Sequence, residues 1–183
     1  MFKTDMSTTE VMLTDSQRTA LDHALADARE CLERDGGMCP FSVLCTSDGF
    51  VVTDHPGEGA DDIYNSVRAL LAQELPEAYV LCYDGFVDLD SGRTDAIVCE
   101  IARRGEAFAT LLAQVYEVED GVYHFADAPA SAGTAKPLYP RGTKPIVSGL
   151  VEQASERAED ASGGDANEQD GERENAPAQE VEE

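Results

Sequence analysis

The chain has 183 residues and a formal net charge of −24, from 37 acidic against 13 basic side chains. That length allows one ordinary domain with appendages, and that charge repels nucleic-acid backbones and anionic membranes while favouring a basic partner or simply solubility. No apolar run approaches the ~18 residues of a membrane-spanning helix, and Cys31, Cys39, Cys45, Cys82 and Cys99 form no C-x-x-C pair, so small buried thiols in a reducing cytoplasm are expected.

Residues 1–13 carry no apolar stretch of signal-peptide length and are expected to be a flexible N-terminus. A helix follows. Thr14 and Gln17 form a capping box, Leu21, Ala24, Leu25, Ala28 and Leu32 recur at helical spacing, and Gly36-Gly37 stops the run. The segment PFSVLCTSDGFVVTD reads as two strands about a turn at Asp48-Gly49. His55, beside Asp54, is read as a loop histidine without a role. Asp61 or Asp62 then caps a second helix that turns Ile63, Val67, Leu70, Leu71 and Leu75 inward and ends near Pro76.

The remainder reads as a meander over 78–90, 93–103, 106–119 and 122–126, with turns at Ser91-Gly92, Arg104-Gly105 and Asp120-Gly121. The expected fold is therefore α+β, an antiparallel sheet of five to six strands with two helices on one face, in the order α-β-β-α-β-β-β with a further β, spanning 14–133. This order resembles, as topology, the roadblock and profilin-like group of small sheets, and the resemblance implies a binding scaffold. A Pro-containing basic strap or linker follows over 134–151, with Lys136, Arg141 and Lys144 expected to lie on the body's own negative surface and PLYP as a polyproline-type ligand the alternative. The tail over 152–183 holds twelve acidic residues, two Arg and no aromatic residue. It cannot bury enough apolar surface to offset its ordering entropy and is expected to be disordered.

The stretch YDGFVDLDSGRTDAIVCE concentrates carboxylates inside the meander. Two-residue turns would put Asp84 opposite Cys99 and Thr110, and Asp88 opposite Asp95 and Gln114. One sheet face then carries Asp84, Asp88, Asp95 and Gln114 around Ile97, Ile101, Phe108 and Leu112, a cup with an apolar floor and an acidic rim suited to a cationic ligand, a divalent ion or a partner's Lys or Arg. Like charges directly opposite destabilise a ladder unless something neutralises them. A one-residue bulge at Asp84-Gly85 is the competing reading; it would leave Asp88 and Asp90 at a solvated hairpin end. A calcium loop starting at Asp88 fails, because its fifth and twelfth positions are Gly92 and Cys99. A nuclease core fails too, since Ala102 stands where a Lys is needed.

These residues point to an acidic cytoplasmic interaction module, a monomer or homodimer, with Asp84, Asp88, Asp95 and Gln114 as its ligand-binding residues. Its expected partner is a basic protein surface or a cationic ligand, with no cofactor, resident metal, nucleic acid or membrane. Two alternatives stay open: a metal-assisted enzyme using Asp84, Asp88 and Asp95, and an acidic mimic that occupies a basic surface.

Overall fold

Thr14 opens the first helix, α1 (Asp15–Asp35), through both halves of a capping box: the Gln17 N–H donates to Thr14 Oγ1 at 3.3 Å, and the Thr14 N–H donates to Gln17 Oε1 at 2.9 Å. Gly36, at φ 71°, closes it by donating its N–H to the Leu32 carbonyl at 2.9 Å. The computed structural model describes residues 12–146. The expected acidic tail and nearly all of the expected N-terminal segment lie outside the described residues.

Seven strands and a second helix follow: β1 (Phe41–Thr46), β2 (Gly49–Asp54), α2 (Ala60–Glu74), β3 (Ala78–Leu89), β4 (Gly92–Arg103), β5 (Ala109–Glu119), β6 (Val122–Phe125) and β7 (Ala130–Ala135). All pairings are antiparallel, in the order β2-β1-β3-β4-β5-β6. β7 shares the outer edge of β5 with β6: β6 takes Tyr116–Glu119, β7 takes Ala109–Ala113, and the Ala126 N–H bridges to Val115 O at 2.9 Å. The fold is thus the expected α+β arrangement, with one strand more than the sequence suggested.

The helices do not share a face. α1 buries Ala20, Leu21, Ala24, Leu25, Ala28 and Leu32 against Val43, Cys45, Val80, Cys82, Ile97, Cys99, Ile101 and Leu112. α2 packs Val67 and Leu71 on the alternate residues Leu44, Tyr79 and Leu81, together with Ala102. Side chains alternate across a strand, so these are opposite faces. The expectation of two helices on one face is corrected for a physical reason: both faces are apolar, and each needs its own cover. The small stripe Ala20, Ala24, Ala28 lets α1 lie close, with Cys82 Sγ 3.9 Å from Ala24 O. Each fully buried Leu contributes roughly 1.5–3 kcal/mol.

The register also differs. β3 and β4 pair without a break from Ala78↔Arg103 to Leu89↔Gly92, so there is no bulge at Asp84-Gly85, and the turn is Asp90-Ser91. Asp84 faces Ile97 rather than Cys99, Asp88 faces Arg93 rather than Asp95, and Phe86 faces Asp95. Moving the turn by one residue shifts the pairing by two, which changes every partner but keeps every side chain on its face. Gly92 (φ 117°) and Gly49 (φ 129°) each open a strand instead of lying in the turn. Asp120-Gly121, at φ 51° and 82°, forms its hairpin turn as expected, and Arg104-Gly105 also turns as expected, closed by the Glu106 N–H donating to Arg103 O at 3.0 Å.

α2 begins two or three residues earlier than Asp61 or Asp62 suggested, with Gly59 at the N-cap and no side-chain cap. Leu75 is not a core residue; it is the left-handed C-cap at φ 43° and is 43% exposed. The segment after β7 is built into the domain. Leu138 is buried beside α2, its N–H donates to Tyr79 Oη at 3.0 Å, and the Tyr139 hydroxyl donates to Pro76 O at 3.1 Å. PLYP is therefore largely spent on the protein's own core.

Candidate functional site

β1 covers only the first part of β3. Their ladder ends at Phe41↔Cys82, and Pro40 gives its carbonyl to the His55 N–H on the β2 side at 2.7 Å. Among the described residues, Tyr83–Leu89 consequently has no strand on its outer side. Unpaired strand edges present rows of backbone donors and acceptors to another chain. This one carries Asp84, Phe86 and Asp88 on the α1 face and Tyr83, Gly85, Val87 and Leu89 on the α2 face. Beside it the first turn of α2 leaves a cavity of about 470 Å³, lined by Pro40, Gly57, Glu58, Ile63, Tyr64, Leu81, Tyr83 and Asp84 among others. Gly57 must remain glycine there, since a Cβ would stand 2.9 Å from that of Asp62.

The four expected site residues do not converge. Asp84 is exposed and accepts a hydrogen bond from the Tyr116 hydroxyl at 2.7 Å. Burial, then that hydrogen bond, then the nearby charges of Asp84 and Asp95, hold the Tyr116 hydroxyl well above its ordinary pKa. Asp88 meets Arg93 at 3.5 Å, and that guanidinium also lies 3.8 Å from the centroid of the Phe86 ring. Asp95 is exposed beside this unit. The feared confrontation of Asp88 with Asp95 is absent, because the register gives Asp88 a cation.

Gln114 is not on the rim. It is buried opposite Ile97, and its Nε2 donates to Ala126 O at 2.6 Å, where the chain passes from β6 to β7. Its Oε1 is buried without a partner among the described residues. Those residues contain no group of three or more His, Cys, Asp or Glu side chains able to hold a metal ion, so the arrangement gives Asp84, Asp88 and Asp95 no common ion. Tyr116 was missed by the sequence reading, although period-two counting on β5 would have reached it two residues past Gln114.

Because Asp84 receives a buried neighbour's hydroxyl, Asp84→Ala should destabilise the fold by about 1 kcal/mol, while Asp84→Asn, which keeps an acceptor, should be close to neutral. Urea unfolding of both variants checks this. A stabilised Asp84→Ala protein would mean that carboxylate crowding outweighs the hydrogen bond.

Three buried polar sets lie elsewhere. His55, read as a loop residue, is buried, with Nε2 2.8 Å from Ser42 Oγ and Nδ1 2.8 Å from Ser66 Oγ. Ser42 is itself fully buried, whereas Ser66 is exposed, so the array runs from the core to the surface. Glu100 is buried on the α2 face, where Tyr79 donates to its Oε1 at 2.8 Å. Burial raises the Glu100 carboxyl above its usual range, against the Tyr79 hydrogen bond and the Arg68 charge. Cys82 and Cys99 are directly opposed free thiols with sulfurs 3.7 Å apart, and Cys82 is pushed up by its hydrogen bond to Cys99 and by burial. The Cys45 thiol is pushed up to about 11, mainly by burial. Thiols held protonated in this way are poor nucleophiles.

No helix among the described residues is long and apolar enough to cross a membrane. No family model matches the chain, and no curated protein and no solved structure matches it.

Proposed function

We propose that the protein is an interaction module that takes up an extended, basic segment of a partner protein as an added strand on the open edge of β3. The observation that carries this is the coincidence on one edge of unpaired backbone, two carboxylates and a cavity. Main-chain hydrogen bonds to Tyr83–Leu89 supply affinity, and alternate side chains supply selectivity. On one face Asp84, Asp88 and Asp95 select Lys or Arg. On the other, the cavity between Tyr83 and α2 accepts a side chain of moderate size, with Glu58 on its wall. Arg93 already models the chemistry within the chain, with a guanidinium stacked on Phe86 and paired with Asp88. That exposed pair contributes at most about 1 kcal/mol, so a partner's cation can displace it.

A second reading rests on β2, the sheet's outermost strand. Phe50, Val51 and Val52 are 42%, 47% and 54% exposed there, and a second copy pairing β2 to β2 would cover them. The acidity of the chain opposes such self-association, which is why the β3 edge is preferred.

Selection of random peptides displayed against the full chain tests the proposal. Enriched sequences should alternate Lys or Arg with apolar residues. They should bind Asp84→Lys/Asp88→Lys more than about tenfold less tightly, since each reversal turns an attraction into a repulsion of order 1 kcal/mol. Enrichment of sequences without cations, or retained binding by the double variant, would refute it. A reducing compartment is part of the proposal, in keeping with five free cysteines.

A further inference from the structure

The strap does not spread its cations over the acidic surface. It forms one wall of a groove whose other wall is α2, where Arg68, Ala69, Ala72 and Leu75 lie along one helical stripe. Two cavities, of about 530 and 620 Å³, share Ala72, Pro140 and Arg141, and together they are lined by Arg68, Arg104, Lys136, Arg141 and Lys144. Five of the chain's 13 basic residues therefore meet in one place. None of them enters the ion pairs found among the described residues, which join Arg34 to Glu30 and Asp35, and Arg93 to Asp88. In a chain of net charge −24, five cations gathered outside every one of these ion pairs call for an explanation.

We propose that this groove binds an organic phosphate, a small ligand carrying a di- or triphosphate on an apolar or planar body. Guanidinium groups pair with phosphate oxygens in a bidentate way, and charge-assisted hydrogen bonds of this kind are the strong ones. The cavity volumes fall within the usual range for small-molecule sites, and Leu75, Pro137, Leu138 and Tyr139 give the ligand's body an apolar surface. Glu77 and Glu106 act on Tyr139 at one end, which leaves the groove cationic on balance.

Two local costs mark the same groove. Leu75 keeps a left-handed backbone at φ 43°, a conformation that glycine adopts more cheaply. Arg104, whose Nη1 donates to Leu75 O at 2.9 Å, holds its Nε buried with no partner among the described residues. Neither feature favours folding, and both fix the position of a cation and an apolar side chain on the groove wall. Its far end is fixed as well: Gly105 lies so close to Pro145 that no Cβ fits between them. This site is separate from the β3 edge and stands or falls independently of it.

Calorimetric titration of the full chain with adenosine triphosphate, sodium tripolyphosphate and an oligoglutamate peptide tests the inference. The nucleotide should saturate one site and bind more tightly than tripolyphosphate. Lys136→Gln/Arg141→Gln, at two exposed positions, should keep the melting temperature and lose more than about tenfold in affinity, since charge-assisted hydrogen bonds to phosphate are the strong ones. Arg18→Gln, on α1, should change nothing. The inference is overturned if the nucleotide fails to saturate at millimolar concentration, if tripolyphosphate binds as tightly, if the double variant binds like the parent, or if oligoglutamate binds in preference to both phosphates.

Discussion

Replacing Tyr79 by Phe should lower the stability of the fold by about 2 to 6 kcal/mol at neutral pH, because two buried groups lose their partner at once and each costs about 1–3 kcal/mol when left unsatisfied. The Tyr79 hydroxyl donates to Glu100 Oε1 at 2.8 Å and accepts the Leu138 N–H at 3.0 Å, so one oxygen joins β3, β4 and the strap. No water replaces it, since Tyr79, Glu100 and Leu138 are all buried. The substitution itself removes one oxygen and leaves the ring, which keeps its edge contact with Tyr139 at 5.4 Å between centroids. Urea unfolding measures the loss, and a double-mutant cycle with Glu100→Gln apportions it. An uncharged amide tolerates the missing donor better than a carboxylate, so the second change should recover part of the stability. A loss below about 0.5 kcal/mol, the scale of ordinary surface substitutions, would show that the strap does not depend on this bond.

His55→Ala should cost a similar 2 to 4 kcal/mol, from the cavity left behind and from Ser42 Oγ deprived of its partner. The same imidazole makes the fold sensitive to acid. Burial lowers the His55 pKa below its usual value of 6.5, with Asp54 opposing the shift. The unfolded chain therefore takes up a proton that the folded one resists. Stability from this group is fully present above about 6.5, the unfolded value, and declines as pH falls below it towards the depressed folded value. Glu100 works in the other direction, because its raised carboxyl contributes most below the ordinary carboxylate pKa and loses that contribution as pH rises through the raised value. Thermal melts from pH 5 to 8, within the usual histidine range, should show a rise that is absent from a His55→Gln variant. A parallel rise in that variant would assign the acid sensitivity to other groups.

What the sequence revealed and what it withheld divide along the reach of each signal. α1 was readable in full because a capping box, an apolar stripe and a glycine stop are all local. The Asp120-Gly121 turn was readable because both residues tolerate positive φ, which a tight hairpin needs. Gly49 and Gly92 misled the reading: glycine signals a positive φ, and that angle serves the first residue of a strand as well as a turn. The resulting offset of two residues preserved the faces, so Asp84, Asp88 and Asp95 were correctly grouped by side while their partners were not. The helix placement was out of reach because it depends on the needs of the assembled sheet. Both faces were apolar, and no local pattern says which one α1 will cover. The cavity beside Tyr83 and the groove at Arg141 each bring together residues distant in sequence, and neither leaves a motif.

Amide hydrogen exchange of the full chain with and without a selected basic peptide addresses the β3 edge directly. The strand-addition proposal predicts new protection concentrated in Tyr83–Leu89, with the hairpin partner Gly92–Val98 and the inner strands unchanged. Protection appearing instead in Gly49–Asp54 would move the interface to β2, and an unchanged Tyr83–Leu89 segment in a saturated complex would contradict the proposal outright.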